Sequence, residues 1–268
     1  MVRGIYTAAT GAIVAETNID VIANNMANVS TNGFKRQLLQ IEAQPSSDLY
    51  RWQTDPGSST ATQGQLGSIA SQEQIGQLGS GSQIYDTPTN FEQGTISLNG
   101  NDFDFALYGQ GFFAVRNAAG TVRYTRDGSF LRSPSNVLQT ADGDTVMDPQ
   151  GNPIALPPNG RVSAAPDGAL NINGVIFGKI GVWDVQNPTV VRSSGSNVFT
   201  DGGSQVTADT ATSVVQGATE KSNSDVVRSI VDLIVAERWF DANTKVIQTE
   251  DTATGLAIST VGRSTNNA

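Results

Sequence analysis

Residues 5–36 read IYTAATGAIVAETNIDVIANNMANVSTNGFKR, and the periodicity of this stretch decides how the rest of the chain is organised. Ile5, Ala8, Ala12, Ala15, Ile19, Ile22, Met26 and Val29 recur at alternating spacings of three and four, an unbroken heptad seam. Glu16, Thr17, Asp20 and Asn24 fall on the opposite face. Small residues dominate the first half of the seam, so a partner helix can approach closely there. The helix is expected to stop between Asn28 and Ser30, and Gly33 to supply the positive φ that a chain reversal needs. Asn24, Asn25, Asn28, Gly33, Phe34, Lys35 and Arg36 are therefore candidate junction residues. The asparagines can bond freed helix carbonyls or neighbouring chains, and Phe34 can anchor the exit by packing. Lys35 and Arg36 either meet an acidic surface on an adjacent subunit or form a solvated basic pair.

A second helix is expected over roughly 223–261. Ser222 or Ser224 can cap it, and Asp225 suits the positive end of its dipole. Val226, Ile230, Leu233, Ala236, Phe240 and Ile247 form its main apolar stripe, widened by Val227, Val231 and Ile234. Asp225/Arg228 and Asp241/Lys245 have ion-pair spacing, and Gly262 reads as the stop.

Between the helices the pattern changes. Residues 44–90 are rich in Gly, Ser, Gln and Thr and read as an extended arm, poorly ordered in an isolated chain. From Thr95 to Thr200 the signal is β. Phe103, Phe105 and Leu107 alternate with Asp104, Ala106 and Tyr108, and GQG at 109–111 turns the chain into the strand FFAV. Asn117–Gly120 reads as a hairpin turn into VRYT, and Val175–Val185 as one more buried strand or a pair. The fold class is α+β: terminal helices packed in a coiled-coil-like domain, an extended arm, and a central all-β domain of short strands. The expected divisions are 1–36, 37–94, 95–210 and 211–268. Neither helix has a helical neighbour nearby in sequence, so each must bury its stripe against the other or against further copies of the chain.

Composition removes whole classes of function. The 268 residues contain no histidine and no cysteine, which excludes Ser-His-Asp and Cys-His catalysis, Cys/His zinc sites and disulfides. The formal net charge of −9 disfavours binding to phosphate backbones. No apolar run approaches the roughly 20 residues of a membrane span. The N-terminal stretch, with Arg3 and no continuous apolar core, does not read as a Sec-type signal peptide.

Local motifs weigh little. GQGFFA lacks the third glycine of a dinucleotide fingerprint and opens a strand rather than a helix. The aspartates of ADGDTVMDPQGN (141–152) do not have the spacing of a calcium loop, and turn aspartates are the better reading. Asp102, Asp104, Glu73 and Glu92 could in principle supply paired carboxylates for glycoside hydrolysis, but nothing in the sequence raises one pair above another. No cofactor and no metal site is expected.

Four segments carry a family resemblance: the opening MVRGIYTAATG, the junction ANNMANVSTNGFKR, the centre ALYGQGFFAV followed by YTRDGSF, and the end SNSDVVRSIVDLIVAERWFDANTKVIQTED. In this order they resemble the bacterial flagellar rod and hook axial proteins. The opening and the ending AISTVGR look more like the proximal-rod type than the distal-rod type. The resemblance implies export through the flagellar type III apparatus, terminal helices that line an inner tube, an outer β domain, and no catalytic activity. It implies other copies and other axial proteins as partners, and a place in the basal body that crosses the envelope. On this reading the seam residues of both helices are assembly contacts, and the monomer has mobile ends that order on joining the rod. The alternatives are an envelope glycosidase or peptidoglycan hydrolase, and a soluble β-domain binding module.

Overall fold

The computed structural model describes residues 2–50, 74–158, 160–186, 191–193, 195, 197–200, 206–208 and 211–264. Two helices bracket a β-rich centre: α1, Val2–Ala27, and α2, Val226–Ser264. The chain divides into two compact units. One gathers Met1–Ile19, Gln40–Asp86 and Val235–Ala268; the other gathers Asp20–Leu39 and Thr87–Ile234.

In the first unit the helices run antiparallel. A Cβ built on Gly4 would lie 3.1 Å from Glu250 Oε1, and one on Gly11 would lie 2.9 Å from Asn243 Oδ1. Seven residues forward along α1 is thus seven residues back along α2. Ala8, Ala15 and Ala236 are buried in this unit, as the small residues of the seam require for a close approach. The arm begins as an antiparallel ribbon: Gln40–Ala43 pairs with Ser82–Asp86, and Ser47–Tyr50 with Gln74–Leu78. Gly81, at φ +124°, turns into the last of these strands where its Cα faces the Thr10 hydroxyl of α1, too close for a side chain. Order, rather than loop, therefore extends into both ends of the segment read as an arm. Residues 51–73, the middle of the 44–90 stretch expected to be poorly ordered, lie outside the described residues.

The second unit is built on a nine-stranded sheet, all its pairings antiparallel. Strand Phe112–Arg116 lies at its centre, bonded to Val122–Thr125 on one side and to Thr145–Val146 and Val182–Val185 on the other. Period-two alternation sends Phe113 and Val115 into one apolar cluster with Phe105, Leu107, Phe130 and Leu138. It sends Phe112 into a second cluster with Val185, Val191 and Phe199. Phe113 meets Phe130 edge-on at 5.1 Å, and Phe112 meets Phe91 edge-on at 5.4 Å, geometries that aromatic quadrupoles favour. The Asn117–Gly120 hairpin forms where the sequence puts it, with Gly120 at φ +84° and Asn117 N–H donating to Thr121. The Val175–Val185 segment is a pair of strands, Val175–Lys179 and Val182–Val185. Val182 and Val185 are buried, whereas Val175 and Ile176 are exposed beside the Asn173–Gly174 turn.

Three local expectations for α2 need correction. Asp225 is the N-cap: its Oδ1 accepts from the backbone N–H of Val227 at 2.8 Å and of Arg228 at 3.2 Å. Ser222 instead accepts from Ser224 N–H one turn earlier. A carboxylate committed to two helix N–H groups is not spent on Arg228, whose acidic neighbour is Asp232 at 4.0 Å. Gly262 does not stop the helix, which continues to Ser264. Among the described residues no helix is long and apolar enough to cross a membrane.

Candidate functional site

The junction after α1 is where the second unit concentrates its buried charge. Asn25, on the last turn of α1, is buried, and its side-chain amide pairs with the backbone of Gln37 in both directions. Asn25 Nδ2 donates to Gln37 O and Gln37 N–H donates to Asn25 Oδ1, each at 2.8 Å. The side chain thereby mimics a strand partner and ties the returning chain to the helix end. Asn28 N–H and Nδ2 both donate to Asn24 O, taking up a carbonyl that the helix leaves free.

Gly33 follows at φ +67°. A Cβ there would run into the backbone of Arg126 and Asp127, 2.5 Å from Arg126 C. Glycine is thus required twice, for its dihedral and for the approach of two backbones. Gly33 N–H donates to Glu220 O at 2.8 Å. Immediately beyond, the side chains of Lys35 and Glu220 meet at 2.5 Å, both fully buried, and Arg126 Nη1 reaches the other carboxylate oxygen at 3.3 Å. The remaining polar groups converge on the same point. Lys35 Nζ donates to Glu92 O at 2.7 Å, Gly94 N–H to Glu220 Oε1 at 2.8 Å, and Arg126 Nη2 to Gly109 O at 2.8 Å. The Arg126 guanidinium also stacks 5.0 Å from the centre of the Phe112 ring. Burial pulls the Lys35 ammonium below its usual 10.5, and the Glu220 carboxylate opposes that pull.

Asn223 completes the lock. It accepts from Arg36 N–H at 2.8 Å, its Nδ2 donates to the carbonyls of Asn90 and Glu92, and its own N–H donates to Phe34 O. The junction, the strand turn at 109, the RDG segment and the approach to α2 are thereby knotted together. Lys35 and Arg36 divide here. The acidic partner of Lys35 is Glu220 of its own chain, whereas Arg36 is half-buried and lies 3.7 Å from the exposed Glu92. Arg126, Glu220, Asn223 and Asn32, whose carbonyl takes the Asn197 amide, carry no mark in the sequence that foretells this role.

Of the α1 seam residues, Ala8, Ala15 and Ile22 are buried, and Ile5, Ala12, Ile19, Met26 and Val29 are half-buried. Val14 and Val21 are buried beside them. On α2 Ala236 is buried and Leu233, Phe240 and Ile247 are half-buried, but Val226 and Ile230 are exposed. The covered face of α2 instead follows Ser229, Leu233, Ala236, Phe240, Asn243, Ile247 and Glu250. Uncovered apolar side chains remain on both helices, among them Tyr6, Ile13, Val227, Val231, Trp239 and Leu256.

The candidate carboxylates are not brought together as an acid–base pair. Asp102 is bound by Arg161, Asp104 accepts from Asn99 and Asn101, and Glu92 faces Arg36 and Asn90. Glu73 lies outside the described residues.

Comparison with known proteins agrees with this layout segment by segment. Residues 5–35 match the family described as flagella basal body rod protein. Residues 106–177 match the flagellar hook protein FlgE/F/G D1 domain, and residues 215–259 the C-terminal family of flagellar basal body rod FlgEFG proteins. These three matches, in chain order, mark the chain as an axial structural protein of the bacterial flagellum. The chain is 33% identical to the flagellar basal-body rod protein FlgG of Borreliella burgdorferi, over 96% of this chain and 98% of that protein. It is 33% identical to FlgG of Bacillus subtilis, over 94% and 96%. It is 28% identical to the rod protein FlgF of Caulobacter vibrioides, over 98% and 99%. The chain belongs to the flagellar basal-body rod protein family, whose place is the flagellar basal body. Relatives bearing both rod names align along nearly its whole length.

Proposed function

We propose that the chain is a non-catalytic building block of the rod, adding to other copies and to other axial proteins through its terminal helices and transmitting torque along the resulting shaft. Delivery by the flagellar type III export apparatus belongs to the same reading. The observation that carries it is the double-sided character of the helices: one face covered within the chain, another still presenting Tyr6, Ile13, Val227, Val231 and Trp239. A stripe of about six to eight apolar side chains removes several hundred Å² from water, roughly several kcal/mol per contact at ~25 cal/mol per Å² before ordering costs. A contact between unlike faces that does not close on itself grows into a helical filament.

The test is Val231→Asp and, separately, Trp239→Asp. Both positions are exposed, so the purified variants should keep the parent melting temperature. Cells carrying them should build no complete rod and fail to swim. Normal motility with either variant would refute the assembly role of this face.

A further inference from the structure

Gly4 and Gly11 of α1 meet α2, and with the buried Ala8 and Ala15 of the same heptad seam they repeat identically after seven residues. Such a surface presents the same small-residue notch twice. Sliding a partner helix by one heptad, about 10 Å along the axis, brings glycine to glycine and alanine to alanine. α1 alone therefore does not specify where along its length α2 should sit.

The asymmetry is written on α2. The two residues that sit on the glycines are polar and different from each other: Asn243 against Gly11, and Glu250 against Gly4. Asn243 Nδ2 donates to Trp239 O in its own helix. Glu250 Oε2 is buried with no hydrogen-bond partner, and its sister oxygen faces the first turn of α1. That turn has free N–H groups and the positive end of the helix dipole, so a carboxylate is favoured there and not in mid-helix. Displacement by one heptad in one direction would move Glu250 onto Gly11, away from the helix start. Displacement in the other would carry it beyond the start of α1 and put Asn243 on Gly4. Single polar residues at such positions define register in paired helices at some cost in stability.

We propose that Asn243 and Glu250 are a register key, which makes α1 accept the α2 of its own chain at one axial position and reject the α2 of an adjacent copy offered at another. The rejection rests on the rod reading, since it matters only where copies crowd together; the pairing within one chain does not.

The chain has no cysteine, so disulfide trapping reports the pairing cleanly. With residue 4 against 250 and residue 11 against 243, the antiparallel register puts positions 8 and 247 between the two keyed contacts. In dilute full-length protein, Ala8→Cys with Ile247→Cys should close within one chain on mild oxidation. A concentrated mixture of two single-cysteine proteins, one Ala8→Cys and one Ile247→Cys, should give about tenfold less cross-linked dimer than the double variant gives closed monomer. Adding Asn243→Leu and Glu250→Leu should raise the dimer severalfold, and Glu250→Gln, which keeps size and polarity, should raise it to a smaller extent. An unchanged ratio in both backgrounds would overturn the key. Failure of the double-cysteine protein to close at all would overturn it too, while leaving the motility test of the rod reading untouched.

Discussion

Lys35 and Glu220, separated by 185 positions in sequence, meet at 2.5 Å with both side chains sealed from solvent, and Arg126 closes on the far side of the same carboxylate. Removing two charges from water is costly, and the contact is sustained by further hydrogen bonds, from Lys35 to Glu92 O, from Gly94 N–H to Glu220 and from Arg126 to Gly109 O. Removing the acid alone leaves two buried cations facing each other. Glu220→Gln should therefore lower unfolding free energy by about 3 to 5 kcal/mol, read from urea denaturation midpoints. Lys35→Ala and Glu220→Ala should also fail to add: the double variant should cost at least about 1 kcal/mol less than the two singles together. Additivity would mean that the pair is not coupled.

Gly33 and Gly120 both have positive φ, but only Gly33 is pressed against another backbone; nothing lies within 4 Å of the place a Cβ would take on Gly120. Gly120→Ala should cost about 1 to 2 kcal/mol, the left-handed dihedral alone. Gly33→Ala should cost on the order of 3 kcal/mol or more, because dihedral and clash combine. Equal losses of melting temperature in the two variants would contradict the docking of the junction on Arg126 and Asp127.

Burial lifts the Asp127 carboxyl above its usual 3.8, helped by Asp104 and Asp142 and resisted by its hydrogen bonds with Ser129. A carboxyl whose folded value is raised stabilises the fold fully below the unfolded value, and that contribution is lost as pH rises through the folded one. Asp127→Asn, which can still accept from Ser129 N–H, removes this loss. Its stability relative to the parent should be level below about pH 3.8 and should climb above it. A difference that stays constant from pH 3 to 7 would show that Asp127 titrates normally.

Asp225 holds the first N–H groups of α2, and its neighbours Ser222 and Ser224 do not. Asp225→Ala should destabilise by about 1 kcal/mol, and Ser224→Ala by only a few tenths. The reverse order would return the cap to the serine.

Much of the architecture is legible in the sequence because it is local. The stop after Ala27, the left-handed Gly33 and the hairpin at Asn117–Gly120 each follow from residues within a few positions of one another, whereas the strand at Phe105–Tyr108 buries Ala106 along with Phe105 and Leu107 and so does not alternate as its sequence suggests. The face of α2 was harder to read. Val226 and Ile230 are exposed within the single chain, and the covered side includes Asn243 and Glu250, because Gly11 and Gly4 of α1 leave room for polar side chains that periodicity alone would assign to solvent.

Sequence alone determined that two long helices flank a β region along the chain, where each begins and ends to within a turn, and which segments resemble rod and hook proteins, since helical period, turn chemistry and motif order are properties of neighbouring residues. The tertiary structure decided which charges are sealed together and which side of each helix is spent inside the chain. Lys35 and Arg36 are adjacent and chemically alike, yet one is buried against Glu220 and the other is half-exposed beside Glu92. That difference arises because four remote segments converge on a single point, and no local pattern encodes such a meeting.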